Sequence, residues 1–321
     1  MRALVTGAAG FIGAHVVDAL VAAGAEVRAF DRDPPVDVPP GAEPVVGDLL
    51  DADAVRAAMD GCDAVFHLAA VYSFARADAG LMQAVNVEGS RILLDAAARS
   101  TVRPRVVYTS SCATCGPVRG RPATEDDAPP AYELAVPYKR TKIAGEQLAL
   151  AAAAEGHDVV VVNPTTPVGP GDRRPTPTGK MIADVAGGRA RGYLAGSVLN
   201  VVAVADVAAG HLRAHERARA GRRYLLGGEN LPMREVFAAA ARAAGRPPPR
   251  LAVPWAVAFG AAVAARAALR PFGREPELLV LDEVRLGRLP MAFDDARARR
   301  ELGHTSIPGC DAIEAAVRTL P

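Results

Sequence analysis

Lysine is the scarcest charged residue in this chain. Its 321 residues include 34 arginines but only three lysines, at positions 139, 142 and 180. Acidic residues offset the basic ones to a net charge of +1, so the sequence lacks the one-sided charge that is typical of nucleic-acid-binding domains and of acidic tails. We therefore expect a small-molecule substrate and no nucleic-acid partner.

Cysteine is also rare, and its four copies are too few for a disulfide framework in a chain of this size. This scarcity fits a reducing, cytoplasmic environment. Cys112 and Cys115 form a Cys-x-x-Cys motif, but Cys62 and Cys310 supply no second pair that would complete a zinc site. We expect small loop residues here and no metal site, with a redox or metal role as the alternative.

Long apolar runs are missing as well. The N-terminus resembles a signal peptide at first sight, but regularly spaced glycines and Asp18 argue against one. The longest candidate, residues 251–265, contains Pro254 and ends before Arg266, so it is shorter than the ~18–20 residues that cross a bilayer. We expect a buried helix and no membrane span, with a helix lying on a membrane surface as the alternative.

What the first half of the chain does contain is an alternation of short apolar runs with helical patterns. The runs predict strands at residues 2–6, 26–30, 42–46, 63–67, 105–109 and 158–162. The longer patterns predict helices at residues 14–23, 52–59, 81–98 and 138–154. This alternation predicts an α/β fold with a doubly wound parallel sheet, covered on both faces and joined by right-handed crossovers.

The second half is less regular. Residues 163–180 hold five prolines and predict a loop, and residues 199–219 predict a strand and a helix that return to the sheet. Further helices are predicted at 232–244, 255–269 and 294–302. We expect a dinucleotide-binding domain at 1–165, with the return at 199–219. A substrate-binding region at 166–198 and 220–321 would then cover the carboxyl edge of the sheet.

A glycine-rich turn lies between the first strand and the first helix. Gly7, Gly10 and Gly13 allow a tight turn and a close approach of the backbone to a pyrophosphate. The N–H groups and dipole of the helix that follows favour that anion, and Phe11 and Ile12 within the turn are further candidate cofactor-binding residues. The turn therefore predicts a dinucleotide cofactor.

The second strand ends in Asp31 and Arg32. Asp31 lies 24 residues after Gly7, close to the spacing at which a carboxylate binds the adenosine ribose hydroxyls. A carboxylate there repels a 2′-phosphate, which favours NAD, whereas Arg32 could pair with the phosphate of NADP. NAD is the expected cofactor, with NADP as the alternative; the residues could also form a solvated turn.

Two of the three lysines lie beside one of the six tyrosines. Tyr138 and Lys142 are four residues apart and share one helical face, an arrangement that chance supplies only about 0.06 times in such a chain. Ionising a phenol at neutral pH costs ~4 kcal/mol, and a neighbouring ammonium offsets part of that cost. The pair predicts a proton-transferring tyrosine, with Lys142 also placed to bind the nicotinamide ribose. The alternative for Tyr138 is a half-buried aromatic at a helix start.

A third catalytic group is expected after the fifth strand, where a hydroxyl could polarise the substrate oxygen. Ser111 is our candidate, with Ser110 as the second choice. These hydroxyls could also merely cap the end of the strand.

Together these residues resemble an extended short-chain dehydrogenase/reductase of the NAD-dependent epimerase/dehydratase superfamily. The resemblance covers nearly the whole chain and includes the glycine turn, Asp31, Gly47-Asp48-Leu49, His67-Leu68-Ala69-Ala70, Asn86, Ser111 and Tyr138/Lys142. Residues 163–172, 175–179 and 224–231 further resemble hopanoid-associated sugar epimerases, a subgroup related to dihydroflavonol 4-reductases.

The resemblance implies a Rossmann fold and further cofactor-binding residues. Asp48 and Leu49 would flank the adenine, and Leu68, Ala69, Ala70 and Asn86 would line the cofactor. Pro164 and Thr165 would lie near the nicotinamide. It also implies a homodimer through the helices at 81–98 and 138–154.

The chain departs from its relatives at several substrate positions. Thr166 stands where sugar-nucleotide epimerases commonly have asparagine, and Cys112-Ala113 replace the Asp-Glu pair of dTDP-sugar dehydratases. Residues 203–206 read Ala-Val-Ala-Asp where the subgroup has His-Val-Asp-Asp, so Asp206 is the only one of its three polar residues that remains. Tyr72, Ser73 and Thr166 are therefore our candidate substrate residues, although Tyr72 and Ser73 could equally be packing residues.

The leading hypothesis is an NAD(P)-dependent oxidoreductase of the epimerase/dehydratase type, which transfers a hydride at a carbinol or ketone carbon of a sugar-like or polyol-bearing substrate. An NADPH-dependent ketone or aldehyde reductase of the dihydroflavonol-reductase type is the alternative. A third alternative is a non-catalytic dinucleotide sensor.

Overall fold

A parallel sheet lies at the centre of the fold. The structure is a computed structural model that describes residues 1–34, 38–269 and 280–320. In chain order, the described strands are β1 (Arg2–Thr6), β2 (Glu26–Asp31), β3 (Ala42–Val46), β4 (Ala64–His67), β5 (Arg105–Thr109), β6 (Val159–Pro164), β7 (Thr166–Val168), β8 (Gly192–Leu194), β9 (Val198–Ala203), β10 (Arg223–Leu226), β11 (Glu229–Pro232) and β12 (Leu251–Val253).

Seven of these strands form the main sheet in the order β10-β6-β5-β4-β1-β2-β3, and every neighbouring pair is parallel. The order reverses between β1 and β4, and β3 and β10 form the two edges. In open sheets of this type, ligands bind beyond the carboxyl ends of the strands at such a reversal. The six strands predicted from the sequence are confirmed.

Helices cover both faces of this sheet. In chain order, the described α-helices of the whole fold are α1 (Phe11–Ala22), α2 (Ala52–Met59), α3 (Ala79–Gln83), α4 (Ser90–Arg99), α5 (Pro137–Ala154), α6 (Pro177–Ala186), α7 (Val204–Arg217), α8 (Met233–Ala243), α9 (Trp255–Leu269), α10 (Leu281–Leu286), α11 (Ala296–Leu302) and α12 (Gly309–Arg318). One face packs against α1 and α7 through Leu20 and Val207, and the other against α2, α4 and α5 through Met59, Leu93 and Ala149. The doubly wound α/β fold is thus confirmed.

A π turn at Ala84–Gly89 joins α3 to α4, so the helix predicted at 81–98 is one continuous helical segment with a wider turn. π turns of this kind occur frequently at functional sites. Gly145 of α5 crosses this turn closely, since a Cβ there would lie 2.7 Å from the carbonyl oxygen of Asn86.

The strand expected to return to the main sheet at 199–219 does not do so. β9 instead pairs with β7 and β11 in a separate three-stranded sheet, although the following α7 does cover the main sheet. The seventh strand of the main sheet is β10, which pairs with β6. β10 has only four residues, too few to show a recognisable alternation of apolar and polar side chains. The apolar pattern of β9 is stronger, and for this reason the sequence predicts β9 as the returning strand. The division of the chain at residue 165 stays a prediction.

The sequence predicts a loop at residues 163–180, but this proline-rich stretch also contains regular secondary structure. It contains the end of β6, all of β7 and the start of α6. Proline is compatible with a first helical turn because the N–H that it lacks has no partner there. Thr176 caps α6 by accepting a hydrogen bond from Gly179 N at 3.0 Å.

The prediction of a buried helix within 251–265 is wrong. In α9 only Ala258 and Ala262 are buried, and Val257 and Val263 are largely exposed. The helix lies at the periphery and packs along one edge against α10 and the two-stranded β8–β12 ribbon. Within the described residues, no helix combines the length and apolarity that crossing a membrane requires.

Candidate active site

The glycine turn follows β1 and leads directly into α1. Gly7 has a φ of +73°, and a Cβ there would lie 2.6 Å from Ala69 N. At Gly13 a Cβ would lie 2.0 Å from the carbonyl oxygen of Gly7. Side chains are therefore excluded at both positions, and the turn presents bare backbone and the first turn of α1, with Phe11 and Ile12, to the crevice.

Asp31 ends β2 beside this turn. Its carboxylate accepts hydrogen bonds from Ala9 N at 2.9 Å and from Asp33 N at 3.3 Å, which fixes its place at the crevice. Arg32 is exposed at the next position. Asp33 forms an ion pair with Arg174 at 2.8 Å, so the loop after β7 reaches the end of β2.

The remaining candidate cofactor residues follow neighbouring strands of the same sheet edge. Asp48 and Leu49 come after β3, Leu68, Ala69 and Ala70 after β4, and Pro164 and Thr165 end β6. Carboxyl ends of parallel strands share one edge, so the fold gathers these positions around the glycine turn. Their individual contacts with the cofactor stay predictions.

Helix α5 places the candidate catalytic residues at the same edge. It begins at Pro137, immediately before Tyr138, and buries Lys142 one turn later. The Ser111 side chain lies near enough to the Tyr138 phenol to lower its pKa, and Lys142 Nζ donates to the carbonyl oxygen of Thr109 at 2.9 Å. The structure thus brings together the three residues predicted from the sequence. Ser111 also caps the short 3-10 turn at Cys112–Thr114 by accepting from Ala113 N at 3.2 Å.

The protonation of the pair differs from what we expected. Removal from water raises the pKa of Tyr138 further above its usual range, and the Ser111 hydrogen bond opposes this shift. Burial lowers the pKa of Lys142 to about 8, and Glu146 opposes this. The expected lowering of the phenol pKa by Lys142 is not seen, because the ammonium is directed to the Thr109 carbonyl. The phenol therefore holds its proton at neutral pH.

Asn86 has a structural role in the π turn. Its amide oxygen accepts from Val71 N at 2.7 Å, and its Nδ2 donates to Val71 O at 3.0 Å and to Thr141 Oγ1 at 3.1 Å. These contacts use the amide group to link α5 to the segment that carries Tyr72. A direct contact of Asn86 with the cofactor, as the resemblance implies, remains untested.

Tyr72 lies against Tyr138, the candidate catalytic tyrosine, whereas the other two candidate substrate residues are engaged elsewhere. The Tyr72 and Tyr138 rings are 4.6 Å apart between centroids. Ser73 Oγ donates to Asp78 at 2.6 Å, and Thr166 is buried within β7. Of the three candidates, Tyr72 therefore has the strongest claim to contact a substrate.

Phe74 was not singled out in the sequence. Its ring lies 5.4 Å from that of Tyr72 and 6.1 Å from that of Tyr138, both edge to face. We call Tyr72, Phe74 and Tyr138 the aromatic cluster. Tyr72 and Phe74 are two residues apart in a segment without regular secondary structure. The sequence there has no helical or strand periodicity that could have identified Phe74.

A buried polar network behind the catalytic residues was also missed. Glu146 accepts from Thr114 Oγ1 at 2.8 Å and from Asn163 Nδ2 at 2.6 Å, and it pairs with Arg223 at 2.8 Å. Asn163 Nδ2 also lies 3.1 Å from the carbonyl oxygen of Ser111. The available signal was the spacing, since Glu146 follows Lys142 by four residues as Lys142 follows Tyr138.

Lys139 was the other unrecognised residue. Its ammonium forms an ion pair with Glu133, both side chains being fully buried, and donates to Gly116 O at 2.6 Å. Gly116 belongs to the segment that carries Ser111, and Lys139 adjoins Tyr138 on α5. The pair therefore connects the two elements that present the catalytic hydroxyls.

The Cys-x-x-Cys residues are packed inside the protein. Burial raises the pKa of the Cys112 and Cys115 thiols to about 12, which keeps both protonated at neutral pH. Cys112 Sγ donates to Thr165 O at 3.6 Å. Among residues 1–34, 38–269 and 280–320, no group of three metal-binding side chains could hold an ion.

Comparisons with known proteins agree with this geometry. The sequence model of the NAD dependent epimerase/dehydratase family matches residues 3–227. A Synechocystis protein named for dihydroflavonol 4-reductase activity is 38% identical, over 93% of this chain and 88% of its own. "Sterol demethylase protein B" of Methylococcus capsulatus is 36% identical, over 94% and 93%. The structure of DesIV, a dTDP-glucose 4,6-dehydratase from Streptomyces venezuelae with NAD bound, superposes with a TM-score of 0.79, at 25% identity over 99% and 96% of the chains.

We expect Lys139 to position the catalytic hydroxyls. Lys139→Met leaves a buried Glu133 unpaired and should lower the free energy of unfolding by ~3–5 kcal/mol. Combining it with Glu133→Leu should restore most of that stability, because an apolar pair often replaces a buried ion pair without loss. The double variant should still show a lower kcat at nearly unchanged KM.

Lys180→Met, which removes an exposed ion pair with Asp184, is the control and should lower the free energy of unfolding by less than ~1 kcal/mol. A double variant with full kcat would contradict the positioning role.

The pKa of Lys142 predicts a pH dependence. The side chain is cationic below pH about 8 and loses its proton above it. We therefore expect kcat/KM for carbonyl reduction to be level near neutral pH and to fall above pH about 8. Lys142→Arg should abolish this alkaline limb, since a guanidinium keeps its charge, even if the rate itself drops. An unchanged limb in the arginine variant would assign it to another group.

Proposed function

The chain belongs to the NAD dependent epimerase/dehydratase family and is an NAD(P)-dependent oxidoreductase, and on that premise we propose that it interconverts a ketone and a secondary alcohol on a substrate with an apolar ring system. The observation that carries this proposal is the aromatic cluster, in which Tyr72 and Phe74 flank the catalytic Tyr138. Aromatic faces bind flat apolar ligands better than they bind hydrated sugars.

The catalytic residues support reduction directly. Tyr138 retains its proton at neutral pH and can donate it from Oη to the substrate oxygen as charge develops there. Ser111, whose side chain lies near the same phenol, can stabilise that developing charge. Lys142 is held rigidly by the Thr109 carbonyl, where it would bind the ribose. When bound, NAD supplies the hydride donor or acceptor, for which the glycine turn and Asp31 form the binding residues.

Dehydration by the route of sugar dehydratases is disfavoured at this site. That route uses Asp and Glu where this chain has Cys112 and Ala113. The Cys112 thiol is buried and its pKa is about 12, so it is a poor acid and a poor base at neutral pH. The names of the Synechocystis and Methylococcus relatives, which refer to a dihydroflavonol and a sterol, point to ring-bearing substrates instead.

A second candidate is epimerisation of a sugar through an internal redox cycle. Asp31, which is fixed beside the glycine turn, favours NAD, and tightly held NAD serves such cycles. We also infer that the protein acts in the cytoplasm as a homodimer through α3–α4 and α5. The four reduced cysteines support the compartment, and the family resemblance supports the dimer.

The two candidates differ in how they use the cofactor. A ketone reductase should bind NADH or NADPH reversibly and consume it stoichiometrically when offered a dihydroflavonol or a steroid ketone. An epimerase should instead be purified with NAD, released on denaturation, and should turn over dTDP-glucose or a similar sugar nucleotide without net loss of NADH. Measuring both the released nucleotide and the consumption of added NADH by absorbance decides between them.

Tyr138→Phe tests the chemistry itself. Loss of the phenolic proton should lower kcat by ~10²–10⁴, because general acid catalysis is lost, while cofactor affinity stays nearly unchanged. Tyr72→Leu is the matched comparison, and it should raise KM for ring ketones and leave kcat largely intact. Normal hydride transfer in Tyr138→Phe would exclude the assigned mechanism.

A further inference from the structure

The apolar face of α9 is the largest feature that the catalytic site does not explain. The helix contains a single charged residue, Arg266, and is apolar on all sides, a pattern typical of helices that are buried in protein or in lipid. Only Ala258 and Ala262 are buried, whereas Val257 is 61% exposed and Val263 44%. Leu251, in the adjoining β12, is also 61% exposed. We call α9 and Leu251 the apolar surface.

The stretch of chain that carries this surface has charges of one sign only. From residue 236 to residue 274 the sequence contains no Asp, Glu or Lys but six arginines, although the whole chain has a net charge of only +1. Arg246 and Arg250, which precede β12, are exposed. Their side chains lie in the same stretch of chain as the apolar surface, so an apolar patch and a cationic flank occur together.

We propose that the apolar surface docks onto a lipid bilayer that contains anionic lipids. One edge of α9 packs on α10, so its exposed apolar side would lie among the acyl chains while the arginines of the same stretch of chain contact anionic headgroups. A second copy of the chain fits less well. A two-fold interface places equivalent patches face to face, which would bring the arginines of one copy against those of the other.

The apolar surface is connected to the catalytic site by one helix. Trp255 Nε1 donates to Val284 O at 2.8 Å, which fixes α9 on α10. Asp282 of α10 pairs at 3.4 Å with Arg76, just beyond the Tyr72–Phe74 segment of the aromatic cluster. A docked bilayer would therefore lie close to the entrance of the site. Docking itself goes beyond the proposed reaction and does not depend on it.

Vesicle flotation of the full chain tests the proposal without any substrate. The protein should float with phosphatidylcholine vesicles that contain phosphatidylglycerol, and much less with phosphatidylcholine alone or at high salt. Arg246→Gln with Arg250→Gln should weaken binding about tenfold or more, since each cation near an anionic surface contributes about fivefold to partitioning. Val257→Asp with Val263→Asp should abolish flotation.

The matched control is Val46→Asp with Val102→Asp. These valines are 63% and 44% exposed, nearly the same as the pair on α9, but they lie in β3 and after α4. This control should float like the wild type, and circular dichroism checks that every variant is folded. Equal flotation of the control and α9 variants, or no flotation of the wild type, would overturn the proposal. So would a stable dimer without vesicles that the α9 variants dissociate, which would assign the surface to a second copy.

Discussion

Burial of charged and polar groups along one side of α5 is the constraint on which the catalytic site depends. Lys142 and Glu146 follow Tyr138 at intervals of four residues, and both are removed from water. Such groups are costly to bury unless each finds a partner. Their partners are the Thr109 carbonyl at the end of β5, the Thr114 side chain in the turn that follows β5, and the Asn163 side chain near the end of β6. These hydrogen bonds fix the position of α5 relative to the edge of the sheet, and this position places Tyr138 near Ser111.

Lys139 extends the same constraint to the start of the helix. Lys142 and Glu146 reach groups at the sheet edge, whereas Lys139 reaches the segment after β5 and the buried Glu133. The few lysines of this chain are concentrated at the candidate catalytic site. Two of the three are buried there, and each donates a hydrogen bond to a backbone carbonyl. An arginine at either position would have to fit a larger, planar guanidinium group into the same buried space.

Sequence reasoning identified the parts of the protein in which local pattern and chemistry coincide. The six strands from β1 to β6, the glycine turn and the Tyr138/Lys142 pair all carry short-range signals. β10, β9 and α9 did not follow from the sequence because their places depend on tertiary pairing. Four residues of β10 resemble many apolar runs, and the apolarity of α9 was equally compatible with a core or with a surface. Phe74 and Glu146 were missed because their roles arise from contacts across the fold.

The open edge at β3 has its own consequence. Gly47 N donates to the carbonyl of Asp31, and since N–H groups alternate along a strand, that of residue 44 would face away from β2. Residue 44 is a proline, which has no N–H to offer there, and Glu43 adds a charge beside it. An incoming strand would find a missing donor at the middle of the edge. On this side the sheet is therefore closed to growth by strand addition.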